Sequence, residues 1–469
     1  MKQIILNEWK MLLRVRILAY LTLFFIVGLT LVTYLGIVQN DKQQGQQRAA
    51  KEHVRKQWES IDAMNPHSAG HYGSYAFKPA NTLSSIDEGV NSITGNVLRL
   101  EGHVQNEIAY SEASQSLSVS KFGKLKPALL LQYVIPLFLI FLAFASVSSE
   151  KETGRLKLLV FQGTSLSKLI FAKALSVWFY GLLLLIVTVG IQMLLNTKGT
   201  DVDGLARTAL LLLAYAIYYY VITLLATWFS ARLKNNAASL STMLAVWILW
   251  TIFLPKIWGN TADKLHPLPS RQEFKSAMQE DRSKGLDGHN PSDKRADAFR
   301  QKILDQYKVD KVEDLPINYT GLRMQADEEY GNDVWDKHFG NNYAILQKQK
   351  KFYQLSGILN PFASLQSASM GFTGSDLNHH LDFLRQAENY RRYLLKTLNE
   401  KQAYGGSKTG DGDWKVGNDF FKSVKDFEYS APAVGSVSAH YAVDLLLLAL
   451  WTLATTLTVW LTAKKIKLI

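Results

Sequence analysis

Six stretches of about 20 residues carry no Lys, Arg, Asp or Glu through their centres, enough helix to cross a hydrocarbon core of roughly 30 Å. They lie at 17–38, 127–147, 174–195, 205–229, 237–258 and 441–462. This pattern predicts a mainly α, polytopic membrane protein with six transmembrane helices. Between the spans, two long polar segments, 39–126 and 259–439, alternate with short basic ones at 1–16, 148–173, 230–236 and 463–469.

The four short segments hold 14 Lys and Arg against three acidic residues, Glu8, Glu150 and Glu152. Short loops rich in Lys and Arg stay on the cytoplasmic side, whereas long segments are translocated regardless of charge. The chain is therefore expected to have both termini in the cytoplasm, with 463–469 as a tail. The two long segments are expected outside, as a large, mostly helical extracytoplasmic domain built from two insertions. The first window is longer than a signal-peptide core and is not followed by an A-x-A-like site, which predicts a retained helix. Within 1–16, Ile5, Trp9, Leu12 and Leu13 share one helical face, which predicts a cytoplasmic interfacial helix or a simple extension of the first span.

Helical signals dominate the second insertion. A capping box at Ser270–Glu273 starts one helix, and the Gly285–Pro291 run breaks it. Ser292 is expected to cap the next, through Phe299, Ile303 and Tyr307. Longer helices are expected at 321–355 and 375–401, with Asn360-Pro361 opening a short one between them. The first insertion reads as a polar helix near 42–60 and a turn-rich stretch from Asn65 to Pro79.

Composition narrows the chemistry. The chain has no cysteine, which excludes a disulfide scaffold, a thiolate zinc site, an iron–sulfur cluster and a cysteine nucleophile. The net charge of +12 sits almost wholly in the short basic segments; the first insertion has 10 basic and 9 acidic residues and the second has 25 of each. Neither offers the basic excess that duplex binding needs, so nucleic acid is excluded as a partner. An ion-coupled carrier needs ionisable groups inside its spans. The one acidic residue within a window, Asp444, is expected in the first turn of the last span, where it stays hydrated.

The loop 149–165 has mixed character. Charges surround the apolar Leu156, Leu158, Leu159, Val160 and Phe161, and Gly163 with Ser165 breaks the chain before the third span. This is a short amphipathic helix at the inner surface, suited either to docking a cytoplasmic partner or to an interfacial connector without one. A P-loop is absent, since the only Gly-Lys pair, Gly123-Lys124, is followed by Leu125. The chain is therefore expected neither to hydrolyse ATP nor to act as an enzyme.

The run Glu150-x-Glu152-x-Gly154-x-Leu156-Lys157-Leu158-Leu159, followed by Ser167-Lys168-Leu169 and Lys173, resembles the coupling loop of ABC-2 type transporter permeases, with Arg155 where Thr is usual. Tyr218-Tyr219-Tyr220, Leu254-Pro255-Lys256, Asn65-Pro66-His67, Leu286-Asp287-Gly288-His289 and Gln325–Asn332 are similar to a subfamily with a large extracytoplasmic domain of unknown function. The resemblance implies an exporter-like permease subunit in a bacterial cytoplasmic (inner) membrane. It would work with two copies of a separate ABC ATPase that binds ATP-Mg, and with a second permease copy as homodimer or heterodimer. No cofactor is implied on this chain itself. ATPase coupling would fall to Glu150, Glu152, Gly154, Arg155, Leu156, Leu159, Gln162 and Gly163. Membrane lipid and an extracytoplasmic protein are further implied partners. Some relatives occur in systems linked to copper-enzyme maturation, which makes metal-related export an alternative. A membrane-anchored receptor or scaffold is another, and it would not need the loop.

All ten histidines lie in the long segments or, for His440, at the membrane boundary. His67-x-x-x-His71 could join His103, Asp287, His289 or His379-His380 in a nitrogen and oxygen ligand set. The competing reading places His67 in a turn after Asn65-Pro66, its side chain bonded to local backbone, and is preferred on spacing alone. Asp327-Glu328-Glu329 lies inside a helix where 327 and 330, or 325, 328 and 329, share faces, which invites acid–base chemistry, but a solvated face explains the triplet better.

Overall fold

The computed structural model describes residues 1–14, 16–107, 125–196, 199–289, 293–411 and 413–466. Six helices are long and apolar enough to cross a membrane: Arg16–Glu59, Pro127–Glu152, Leu166–Leu195, Val202–Arg232, Asn236–Leu265 and Val434–Lys465. The chain is a multi-pass membrane protein. Each helix outruns its apolar window, because a helix satisfies its own backbone in lipid and in water alike. The first span and the polar helix expected near 42–60 are thus one 44-residue rod, Arg16–Glu59.

The second, third and fourth spans are the most buried and form the centre of the bundle. Tyr215, Tyr218 and Tyr219 are fully buried there, packed with Leu131, Ile135 and Leu184. A Cβ on Gly181 would come within 2.8 Å of Leu139 Cδ1 and 3.1 Å of Tyr219 Cδ2, so glycine sets the close approach of the three helices. A π-helical turn at Leu130–Val134 interrupts the second span, and the Tyr219 hydroxyl donates to the Leu131 carbonyl there at 2.8 Å. Lys2–Arg14 is a helix laid against the bundle through Ile4, Trp9 and Leu12.

The two insertions form one helical domain. Its frame is the pair of long helices Tyr319–Leu355 and Leu377–Tyr404, preceded by Arg271–Arg282 with its capping box and by Asp297–Tyr307. Ser292 lies outside the described residues; Asp293 accepts from Arg295 N instead. The stretch expected to be turn-rich is more regular than that. Asn65 caps a helix Pro66–Tyr72, and Ser74–Phe77 pairs antiparallel with Val97–Leu100, Ser74 opposite Leu100. A second two-stranded ladder joins the insertions, Ala63 opposite Gly417. Trp58, Ala69, Leu394, Leu398 and Phe421 make their shared core, and Trp58 Nε1 donates to the Phe421 carbonyl at 2.9 Å.

This domain is wedged into the bundle. The helix Pro361–Phe372 buries Phe362, Leu365, Ala368 and Phe372 in the same core as the spans. Asn360 Nδ2 donates to the Trp250 carbonyl of the fifth span, and Trp451 Nε1 of the sixth donates to the Gly357 carbonyl, both at 2.9 Å. Asp444 belongs to this joint and is not hydrated as expected. The last helix starts at Val434, so Asp444 lies well inside it, fully buried, accepting from Gln354 Nε2 at 2.6 Å and Ser367 Oγ at 2.8 Å.

Candidate functional site

At the end of the bundle that carries the basic loops, Ser148–Glu152 and Arg155–Phe161 are two short helices joined at Gly154, which has φ +76°. Gly163, at φ +89°, turns the chain into Ser165, whose side chain caps the third span by accepting from Lys168 N. A Cβ would touch nothing at either glycine. The left-handed backbone, which costs other residues about 1–2 kcal/mol, is the reason for glycine.

The loop is braced from within. Leu156 is fully buried among Val147, Leu169, Ile170, Leu224 and Val459, and Leu159 packs against the same cluster. Buried Lys173 lies 2.5 Å from Glu8 and 2.9 Å from Glu150, tying the N-terminal helix, the loop and the third span together. A buried ammonium is tolerable only when paired in this way. Glu152 accepts from Asn236 N and Nδ2, both at 2.9 Å, at the start of the fifth span, where free N–H groups and the helix dipole favour a carboxylate.

The eight residues named for coupling therefore divide. Glu150, Glu152, Leu156 and Leu159 engage the protein itself, while Gly154, Arg155, Gln162 and Gly163 are exposed. Beside them stand two apolar side chains outside the named set, Leu158 at 62% and Phe161 at 85% exposure. Helical phasing from the anchor Leu156 would have placed both on the opposite face.

A second site lies in the insertion domain. His67 and His71 are one turn apart on Pro66–Tyr72, a helix opened by Pro66 and capped by Asn65, whose Oδ1 accepts from His67 N and Ser68 N. The His67 ring does not bond local backbone as the turn reading expects; its Nδ1 lies 2.9 Å from Asn399 Oδ1 on a distant helix. His103, at φ +62°, follows the strand Val97–Leu100 and is pinned by Gly102 N donating to the Gly70 carbonyl at 3.0 Å. Its own N–H donates to Glu328 Oε1 at 2.7 Å. His289 comes from the second insertion, where its N–H donates to Asp287 Oδ1 at 2.9 Å and Arg323 holds the preceding Gly288 carbonyl.

These four rings meet. One nitrogen from each lies within 4.8 Å of those of the other three, and His103 Nε2 is 2.9 Å from His289 Nε2. His67 and His103 are the more buried; His71 and His289 are exposed. Asp287 serves the site through backbone, and His379 lies elsewhere, with its Nδ1 2.6 Å from Asp376 Oδ1 and its ring parallel to Tyr441.

The acidic triplet is not a solvated face. Asp327 and Glu328 are each 2% exposed, and only Glu329 reaches solvent. Asp327 pairs with Arg282, and Glu328 with Arg391 at 3.1 Å. Both flank His103 Nδ1, Glu328 at 2.8 Å and Asp327 at 3.3 Å. Burial alone would depress His103, but these carboxylates hold it up to about 9. Burial pushes His67 down to about 4 and, with the nearby charge on His103, holds His71 and His289 below the usual imidazole range. Burial would raise the Glu328 carboxyl, yet His103 and Arg391 keep it below the ordinary carboxylate range.

Residues 60–258 match the family model of ABC-2 family transporter proteins, and residues 271–430 match a domain of unknown function, DUF3526. The first match takes in the loop at 148–163, His67, His71 and His103; the second takes in His289 and the acidic triplet. No curated protein matches the chain.

Proposed function

We propose that this chain, an ABC-2 family permease whose second insertion is a domain of unknown function, receives the ATP-driven stroke of a separate ATPase through residues 148–163. Phe161 carries the reading. A phenylalanine 85% exposed, beside an exposed Leu158, stands on a loop whose base is locked by an ion triad centred on buried Lys173. Such a rigid apolar knob suits insertion into a pocket of a partner, where aromatic anchors concentrate binding energy.

The bracing gives the stroke a path. Leu156 passes it to the second, third and sixth spans through Val147, Leu169 and Val459, and Glu152 passes it to the fifth through Asn236. At the other end, the bonds Asn360 to Trp250 and Trp451 to Gly357 link the fifth and sixth spans to the insertion domain. A rigid-body shift of the spans would then move that domain, whether it handles cargo or transmits force. In this reading the loops face the cytoplasm of a bacterium and the domain faces away from it, across the inner membrane. ATP-Mg belongs to the ATPase. The first, fifth and sixth spans are the least buried, which leaves their faces for lipid and for a second permease copy.

The cysteine-free chain makes a direct test simple. Phe161→Cys and Leu158→Cys each place a single thiol on the exposed face. In native membranes a thiol-to-amine crosslinker is expected to join both to an ATPase subunit, and to leave Leu156→Cys, buried in the anchor, unreacted. ATPase present in the membrane but crosslinked by none of the three would move the coupling surface elsewhere.

A further inference from the structure

We propose that His67, His71, His103 and His289 form a tetrahedral binding site for a borderline divalent cation, zinc by donor set and geometry, that joins the two insertions of the outer domain.

The shape of the cluster selects the ion. The six distances between ring centroids run from 4.6 to 5.6 Å. A square of ligands would make the two diagonals about 40% longer than the sides, as copper(II) or nickel(II) would favour; near-equal edges are those of a tetrahedron. Zinc takes four imidazoles in that form with Zn–N of about 2.0–2.1 Å, which sets the nitrogens roughly 3.3 Å apart. His103 Nε2 and His289 Nε2 are already within that distance. An all-nitrogen set with no carboxylate among the four disfavours magnesium and calcium.

The surroundings orient the ligands as a metal requires. In metal sites the second nitrogen of each histidine usually donates to a carboxylate, an amide oxygen or water. Here His67 Nδ1 meets Asn399 Oδ1, and His103 Nδ1 meets Glu328. His67 Nε2 is consequently the spare nitrogen of a ring 8% exposed, and it has no hydrogen-bond partner. Leaving a buried polar atom unpaired costs free energy. A cation bound by its lone pair supplies the partner. His71 and His289, both exposed, give the ion its entry from solvent.

The site also bridges. Three ligands belong to the first insertion and one to the second, so binding stabilises the joined state by mass action. This holds whether or not the loop at 148–163 couples to an ATPase, and the two are tested separately.

The test uses the full chain, purified in detergent, stripped with chelator and titrated with zinc chloride or cobalt(II) chloride. One zinc per chain by elemental analysis, a rise in melting temperature and the intense visible absorption of tetrahedral cobalt(II) are expected. His71→Ala and His289→Ala change exposed side chains, leave the apo melting temperature unchanged and abolish all three signals. Asn399→Ala is expected to weaken zinc about 10- to 100-fold, and His53→Ala, on the exposed face of the helix Arg16–Glu59, to change nothing. No zinc and no thermal shift in the parent protein would overturn the proposal. So would the faint spectrum of octahedral cobalt, or zinc bound equally by His71→Ala and His289→Ala.

Discussion

Replacing Arg391 by alanine is expected to destabilise the insertion domain by about 3–5 kcal/mol, the cost of stranding buried charge when one partner of an ion network is removed. Arg391 is 1% exposed. Its guanidinium donates twice to Glu388 at 2.8 Å, once to Glu328 at 3.1 Å and once to Asn332 at 2.5 Å, and it lies over the Trp335 ring at 4.6 Å. Alanine would leave Glu328 with His103 and Glu388 with Arg392 as their remaining cationic partners, and would remove the guanidinium that bridges the two buried carboxylates. Lysine, a point charge without the planar fork, should recover only part of the loss. Thermal unfolding of the purified chain with limited proteolysis of the insertion domain checks this. A midpoint that does not move would show that the network is not the brace described here.

Phe161→Ala is expected to have the second large effect, on association and not on folding. An aromatic anchor seated in a partner typically contributes 2 kcal/mol or more, which corresponds to about 30-fold in affinity. Phe161 touches little of its own protein, so the melting temperature should hold while ATPase binding falls. Lys157→Ala, a neighbouring exposed charge, should cost far less. Titration of the purified chain with the proposed ATPase partner measures both. Equal affinities for parent and Phe161→Ala would remove Phe161 from the interface.

The spans were legible in the sequence because lipid demands unbroken apolarity, a signal that needs no knowledge of partners. Their ends were not, since the helix of Arg16–Glu59 runs on through Asp41 and Lys42 once the lipid requirement lapses. Asp444 was misplaced for the same reason: hydropathy opened the last span at 441, whereas the helix opens at Val434 and carries Asp444 into a pocket made by Gln354 and Ser367.

The loop at 148–163 was legible in type, and the glycines marked its turns, but the division of its side chains between brace and face needed the position of the anchor Leu156. Glu152 meets Asn236, 84 residues away, and no local pattern reveals that bond. The histidines were visible as residues and not as a group. Only His67 and His71 share a local spacing; His103 and His289 arrive through the strand pair and the Asp287 turn. The acidic triplet misled because alternation of burial on a helix says which face is turned inward only once Arg282, Arg391 and His103 are known to await it.

The most direct test of the coupling account is recovery of the tagged full-length chain from its native membrane, with bound proteins identified and ATP hydrolysis measured in the parent and in Phe161→Asp. An ABC ATPase bound to the parent is expected, with hydrolysis in the recovered complex, and both are expected to be lost in Phe161→Asp while the chain stays folded. A parent chain recovered without any ATPase, or an ATPase held equally by Phe161→Asp, would contradict the coupling account.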